Sequence, residues 1–204
     1  MAPKTLPRPR KEMIAETRAK LIAAGRHAFA AKGYADASMD DFTAEAGLTR
    51  GALYHHFGDK KGLLQAVIAE IDAEMSARLC AISGQAKTAW QGLLDESVAY
   101  IEMALEPEIQ RIMLLDGPAV LGDPSQWPNQ NACVRTMTAS IQKLIDENTI
   151  REVDPEAAAR LINGTTLSAA LWIAGAENPQ AVSKKAVETF LVMVSGLLKE
   201  KAED

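Results

Sequence analysis

The stretch from Ser38 to Leu64, SMDDFTAEAGLTRGALYHHFGDKKGLL, constrains the fold more than any other part of the chain. It contains two short predicted helices and the start of a third. Ser38 can cap the first helix, Met39 to about Ala46, because its hydroxyl can accept a backbone N–H, and the acidic Asp41 follows three residues later. Gly47 stands just past the helix end, where a left-handed backbone favours glycine. The sequence therefore predicts a tight turn between two helices.

The second short helix is predicted to present a polar outer face. Thr49 can cap it, and it extends from about Arg50 to His56; Gly58 ends it before Asp59 caps the next helix. The apolar positions that would hold the two helices together are Phe42, Ala46, Leu48, Leu53 and Phe57. Thr49, Arg50, Gly51, Tyr54 and His55 are left for the outer face. This layout is that of a helix-turn-helix, whose second helix enters the DNA major groove, although caps and turn alone also suit any small three-helix unit.

The order of residues in AGLTRGALYHHFGDKKGLL closely resembles the DNA-binding motif of TetR-family transcriptional repressors. In that family a glycine turn precedes a recognition helix ending in Tyr-x-His-Phe, and a lysine opens the next helix. The rest of the chain agrees with the family in length and helical pattern. One departure is Thr43, where the family's pattern has a small Ala; the threonine hydroxyl can bond back to a helix carbonyl.

The helix-turn-helix assigns a binding role to each exposed residue of the motif. Arg50 is the strongest base-reading candidate, because a guanidinium can contact guanine O6 and N7 together; a solvated first-turn arginine is the alternative. Gly51 lets the backbone approach DNA closely. Tyr54 either offers its hydroxyl to phosphate or packs its ring in the core. Lys60 lies at a helix N-terminus that attracts phosphate. With the positions that the resemblance adds, the predicted DNA-binding set is Ser38, Thr49, Arg50, Gly51, Tyr54, His55, His56 and Lys60.

Charge is distributed unevenly along the chain. Residues 1–62 carry 11 Lys and Arg against 7 Asp and Glu, a balance of +4, whereas the whole chain has a net charge of −5. The remainder is therefore strongly acidic. A basic head on an acidic body is the asymmetry expected when only the head contacts phosphate.

Apolar spacing predicts an all-α chain of about nine helices with no strand and no repeat. The predicted domains are a disordered basic arm at 1–10, a helix-turn-helix domain at 11–59, and a helical ligand-binding and dimerisation domain at 60–204. The arm could instead follow the DNA backbone or minor groove once DNA is present. Helix 4, at 60–82, is predicted to connect the domains. The other predicted helices are 11–32, 90–105, 108–115, 129–147, 155–176 and 179–200. The first of these has an apolar stripe formed by Ile14, Leu21, Ile22, Gly25, Ala28 and Phe29. The segment DGPAVLGDPSQWP is predicted to be irregular.

Two further sets of residues are predicted in the body. Large, adaptable apolar residues are mostly core, but some could line the ligand cavity that TetR-like bodies have: Trp90, Tyr100, Met103, Met113, Met137 and Trp172. The last two helices carry apolar and small residues that suit close helix packing, either within one chain or across a twofold axis as the resemblance implies. The predicted dimer set is Leu161, Thr165, Ser168, Val187, Phe190, Leu191, Val194 and Leu198.

Catalysis has little support in this sequence. The three histidines, His27, His55 and His56, all precede the acidic body, and adjacent helical histidines point about 100° apart, so they cannot clamp one metal. No catalytic residue, metal or cofactor is predicted. Cys80 and Cys133 lie in no motif and are interpreted as reduced structural thiols, with a redox switch as the alternative.

The sequence is interpreted as a bacterial, cytoplasmic, homodimeric repressor that binds a palindromic double-stranded DNA operator and is released by a small-molecule effector. No signal peptide and no apolar run of the roughly 18 residues needed for a membrane span is visible. One alternative is a DNA-binding activator or nucleoid-associated protein without a ligand. Another, from a different class, is a small-molecule carrier or enzyme whose head only resembles a DNA reader.

Overall fold

The computed structural model describes residues 10–199, which fold into helices joined by short turns. The α-helices are α1 Arg10–Asp36, α2 Met39–Ala46, α3 Arg50–Phe57, α4 Lys60–Ser83, α5 Ala89–Met103, α6 Gly117–Leu121, α7 Gln130–Asp146, α8 Pro155–Ala174 and α9 Pro179–Ser195. A π-helix, Ile109–Asp116, precedes α6, and a 3₁₀ turn, Pro124–Gln126, follows it. The predicted all-α class is confirmed. The predicted arm lies outside the described residues except for Arg10, which begins α1.

The chain divides into two compact units, between Glu70 and Ile71. The division falls inside α4, whereas the sequence placed the domain boundary at the start of this helix. The first turns of α4 belong to the first unit because their apolar side chains are buried there: Leu63, Leu64 and Val67 are fully buried. Gly25 of α1 allows this packing, since a Cβ at that position would lie 2.8 Å from Cδ2 of Leu63.

Helix α1 contributes to the core of the first unit only from Leu21 onward. Leu21 and Phe29 are fully buried, and the Phe29 ring meets the Phe42 ring of α2 edge-on at 5.2 Å between centroids. Ile14, predicted to share this stripe, is instead 43% exposed, because the first turns of α1 have no buried residues. The helical backbone breaks at Gly33, which has a φ of 78°, as predicted for the end of this helix.

The second unit contains α5 to α9 and the rest of α4. Thr88, Asp154 and Asn178 cap α5, α8 and α9, each accepting a hydrogen bond from a backbone N–H in the first turn. The segment predicted to be irregular between the π-helix and α7 is partly helical: it forms α6, with Pro118 in its first turn, where a missing N–H costs nothing.

The last helix ends earlier than the sequence predicted. Helix α9 stops at Ser195 instead of near residue 200, because the following backbone pairs with the segment before α8. Arg151 N–H donates to the Leu197 carbonyl at 2.8 Å, and Ile150 and Leu198 form an isolated antiparallel bridge. Ile150, which takes part in this short pairing, is fully buried.

The junction of α3 and α4 requires a glycine at position 62. Asp59 caps α4 by accepting the N–H of Gly62 at 2.7 Å, and this brings the start of α4 under the last carbonyl of α3. A Cβ at Gly62 would lie 2.0 Å from the Phe57 carbonyl oxygen. A side chain here therefore cannot be accommodated unless the backbone of one helix moves.

We expect Gly62→Ala to destabilise the protein by about 1–3 kcal/mol in urea denaturation, the cost of overpacking a closed site. Gly51→Ala is the matched control, because the nearest atom to its Cβ would be the Thr49 hydroxyl at 3.7 Å. That control should gain up to about 1 kcal/mol from helix propensity. A Gly62→Ala variant as stable as the wild type would show that the two helices can separate at no cost.

Candidate nucleic-acid interface

The start of α2 is fixed by a capping box. The Asp41 N–H donates to the Ser38 hydroxyl at 3.1 Å, and the Ser38 N–H donates to the Asp41 carboxylate at 3.0 Å. Lys32 lies 3.0 Å from the same carboxylate. The hydrogen bond from the Ser38 backbone, followed by that from Lys32, lowers the pKa of Asp41 to about 2. The predicted N-cap is confirmed, and Ser38 is exposed at the surface.

The turn after α2 has the left-handed backbone that its glycine predicts. Gly47 has φ 65° and ψ 33°, and the Leu48 N–H donates to the Thr43 carbonyl at 2.8 Å. Thr43, the departure from the family's pattern, is buried, and its hydroxyl donates to the Met39 carbonyl at 3.1 Å. The larger side chain is thus accommodated with its polar atom satisfied.

Helix α3 presents the outer face that the sequence assigned to DNA. Thr49 caps it by accepting the Ala52 N–H, and Leu53 is fully buried, as is Phe42 of α2. We call the five exposed positions the recognition surface: Thr49, Arg50, Gly51, Tyr54 and His55. Tyr54 is 54% exposed, so its ring is not packed in the core as one alternative had it.

Arg50 forms an ion pair with Asp40, which is not among the predicted site residues. Its Nε donates to Oδ1 of Asp40 at 2.5 Å, and its Nη2 donates to Oδ2 of the same carboxylate. Both side chains are well exposed, at 61% and 65%. The hydrogen bond from Arg50 lowers the pKa of Asp40 below its usual range. Only the folded arrangement of α2 and α3 brings these side chains together.

The remaining predicted DNA contacts lie at the end of α3 and the start of α4. His56 is half-buried, and its ring meets the His55 ring edge-on at 5.4 Å between centroids. Lys60 is not free in solvent: its Nζ lies 4.4 Å from the centroid of the Tyr34 ring and donates to the Ala35 carbonyl at 3.2 Å. Lys60 therefore also ties the end of α1 to the start of α4.

The predicted ligand residues of the second unit are not all in one place. Met103 and Met113 are buried, whereas Trp90, Tyr100 and Met137 are half-buried. Trp172 is 55% exposed and lies on the outside of α8, so it does not line an interior pocket. Met137 lines a small cavity of about 200 Å³ between α5 and α7.

A group of polar side chains lies near Tyr100. Burial raises the pKa of the Tyr100 phenol, and the charges of Cys133 and Asp72 add to this effect. Asp72 of α4 accepts a hydrogen bond from the Asn129 amide at 2.6 Å, and burial raises its pKa as well.

The buried indole N–H of Trp127 has no hydrogen-bond acceptor in the described part of the protein. Because a buried donor without a partner is costly, it can serve as an attachment point for a bound molecule.

The last two helices carry an exposed apolar surface. Leu161 is 72% exposed and Met193 61% exposed, and they line adjoining grooves of about 280 and 670 Å³ between α8 and α9. Thr165, Ser168 and Trp172 also line these grooves. Of the predicted dimer set, Phe190 and Val194 are buried in their own chain, Val187, Leu191 and Leu198 are half-buried, and the sequence analysis missed Met193 and Val192.

Within residues 10–199, no group of three His, Cys, Asp or Glu side chains is placed to hold a metal ion. No helix in that range combines the length and apolarity of a membrane span.

A capped helix-turn-helix followed by an all-α unit is the architecture of a class of DNA-binding transcriptional regulators. Residues 21–67 match the family described as bacterial regulatory proteins, tetR family, and residues 90–197 match the tetracyclin repressor-like C-terminal domain. The second match alone covers more than half of the chain. The chain therefore belongs to the TetR family of transcriptional regulators.

Individual relatives agree with this membership. The crystal structure of a TetR-family transcriptional regulator from Pectobacterium atrosepticum is 52% identical, with a TM-score of 0.88 over 95% of this chain and 99% of that one. The TetC protein of transposon Tn10 from Escherichia coli is 26% identical over 159 residues, 76% of this chain and 78% of that protein. The transcriptional repressor AcnR of Corynebacterium glutamicum is 31% identical over 100 residues, about half of each chain. The carrier or enzyme alternative is set aside, because the chain belongs to a family of transcriptional regulators.

Proposed function

We propose that this protein is a cytoplasmic repressor that binds a near-palindromic operator as a homodimer and is released by a small molecule bound in its second unit. The recognition surface is the observation that supports the proposed DNA binding. Its five residues are exposed on a helix whose position is fixed by buried Phe42 and Leu53. Members of the family bind DNA and small-molecule effectors and form dimers, and AcnR is a repressor.

We assign base reading and phosphate contact to different residues. Arg50 has the bidentate donors that match guanine O6 and N7. Lys60, at the start of α4, supplies charge near the helix N-terminus, where phosphate is favoured. Phosphate contacts fix position and strength, while base contacts fix sequence.

DNA selected from a random pool should bind more tightly than its scrambled counterpart in mobility-shift assays, with log affinity falling linearly with log salt. Arg50→Ala should cost about 1–3 kcal/mol on the selected DNA and relax the preference at one base pair per half-site. Lys60→Ala is the comparison variant and should weaken both DNAs alike. Equal affinity of the wild type for both DNAs at every salt concentration would contradict the proposal.

The dimer is supported by the apolar grooves between α8 and α9. Leu161 and Met193 protrude from this face, and small residues such as Gly164 and Ala169 allow a second helix to approach closely. An exposed apolar patch of this kind marks an interaction surface, and a twofold interface would bury each protruding residue against its symmetry mate or a near neighbour.

The double variant Leu161→Glu, Met193→Glu should sediment as a monomer and lose tight operator binding, while its helical circular dichroism stays unchanged. Both positions are exposed within the chain, so the charges need not disturb folding. Phe190 is less suitable, because it is buried and Phe190→Glu would unfold the unit. Leu115→Glu, at an exposed position outside the grooves, is the control. A dimer that survives the double variant would place the interface elsewhere.

The effector part is supported by the polar group near Tyr100. The half-buried Tyr100 phenol could orient a largely apolar molecule that carries a hydrogen-bond acceptor, and the unpaired Trp127 N–H is a separate candidate donor. Asp72 belongs to α4, the helix that begins at Lys60. A shift of α4 in a dimer would disturb the spacing of about 34–36 Å that two recognition helices need in successive major grooves.

A molecule from a metabolite library that changes tryptophan fluorescence should bind more weakly when operator DNA is present. The expected coupling is about 1–3 kcal/mol, and linkage requires DNA to be weakened by the same factor. Trp172→Phe, at the exposed tryptophan, should leave this affinity unchanged, whereas Trp127→Phe should reduce it. Identical ligand affinity with and without DNA would show that the site does not regulate DNA binding.

A further inference from the structure

The ion pair between Asp40 and Arg50 joins the first turns of two helices. Asp40 is the second residue of α2 and Arg50 the first residue of α3. The Arg50 Nε lies 2.5 Å from Oδ1, and Nη2 bonds to Oδ2, so the carboxylate meets one edge of the guanidinium with both oxygens. Such a bidentate pair fixes the direction of the guanidinium plane, which a single contact would leave free to turn.

The first helical turns that carry Asp40 and Arg50 are each fixed by a helix cap. The Ser38 and Asp41 capping box fixes the first turn of α2, and the Thr49 cap fixes that of α3. An arginine in a first turn is opposed by the positive end of the helix dipole, so Arg50 alone would be unfavourable there. The negative charge of the Asp40 carboxylate offsets the unfavourable interaction of Arg50 with the helix dipole. The backbone positions that carry the pair are thus fixed, although both side chains are exposed.

The edge of the guanidinium that Asp40 occupies determines which edge remains. Nε and Nη2 form the side edge, and Asp40 uses it. The end edge, formed by Nη1 and the second hydrogen of Nη2, is not used by this pair. That edge carries the parallel donors that a guanine accepts at O6 and N7. Arg50 can therefore contact a base while it stays bonded to Asp40.

We infer that Asp40 is a positioning residue, which orients Arg50 for guanine and thereby sets sequence preference. The inference depends on the proposed base-reading role of Arg50. An aspartate carboxylate is ionised at neutral pH, and the hydrogen bond from Arg50 lowers the pKa of Asp40 further. The carboxylate opposes phosphate, so it lowers the affinity for every DNA while it raises the preference for one base pair. Removal of this charge should change these two quantities in opposite directions.

The test measures wild type, Asp40→Asn and Asp40→Glu on two duplexes by mobility shift. One is the selected operator, and the other differs at the base pair whose preference Arg50→Ala relaxes. Asp40→Asn should bind the altered duplex more tightly than the wild type does. Its preference between the two should fall by about two- to tenfold, the cost of ordering one long side chain. Asp40→Glu keeps a carboxylate within reach of Arg50 and should restore part of the preference.

Glu45→Gln is the matched control. It removes one exposed charge from the same helix, but its partner is His27 of α1, at 2.9 Å, and not Arg50. It should raise the affinity for both duplexes and leave their ratio unchanged. In the Arg50→Ala background, Asp40→Asn should also leave the ratio unchanged. Thermal unfolding of each variant checks that a loss of fold, which would lower both affinities, is not the cause.

The outcomes separate the positioning role from the proposed function. If the wild type prefers the operator and Arg50→Ala abolishes that preference, but Asp40→Asn behaves as Glu45→Gln does, the positioning role is wrong and the proposed function stands. If Asp40→Asn raises the preference, Asp40 restrains Arg50 instead of orienting it, and the inference is wrong. If Arg50→Ala leaves the preference intact, both the base-reading role of Arg50 and the inference fail.

Discussion

The left-handed turn at Gly47 is the constraint on which the DNA-facing surface depends. It ends α2 and directs the chain so that Leu53 of α3 and Phe42 of α2 are buried in one small core. Once those side chains are inside, the helical period leaves Thr49, Arg50, Gly51, Tyr54 and His55 outside. A residue with a side chain at position 47 would oppose the positive φ, and a changed turn would rotate the whole recognition surface. The direction of every exposed side chain on α3 is thus set by a residue that need not touch DNA.

Local signals predicted this region well because its geometry is determined by neighbours in the sequence. Ser38 with Asp41, Thr49 and Asp59 each cap the helix that directly follows, and the structure has all three caps. Asp154 and Asn178 likewise cap the helices that directly follow them, α8 and α9. A cap is a contact over three residues, so a single sequence contains both of its partners.

Contacts between distant residues could not be predicted in the same way. Two examples are the contacts of Lys60 with Tyr34 and Ala35 and the pairing of Ile150 with Leu198. They depend on which segments meet in the fold, and residue types alone do not specify that. The stripe on α9 shows a related limit. The predicted dimer set includes Phe190, which is buried in its own chain, and lacks Met193, which is exposed. Apolar periodicity cannot separate these two cases, because it carries no information about a second surface.

The position of Asp40 shows why net charge alone describes a DNA-binding head poorly. Residues 1–62 have a basic balance, yet an exposed carboxylate stands within hydrogen-bonding distance of the strongest base-reading candidate. If affinity for DNA were the only requirement, an acid at that place would be a disadvantage, since it repels every phosphate equally. A regulator must instead distinguish one site from a large excess of others, and this depends on the ratio of specific to non-specific binding. A fixed arginine with reduced general attraction raises that ratio, which gives a physical reason for an acid on a surface that binds a polyanion.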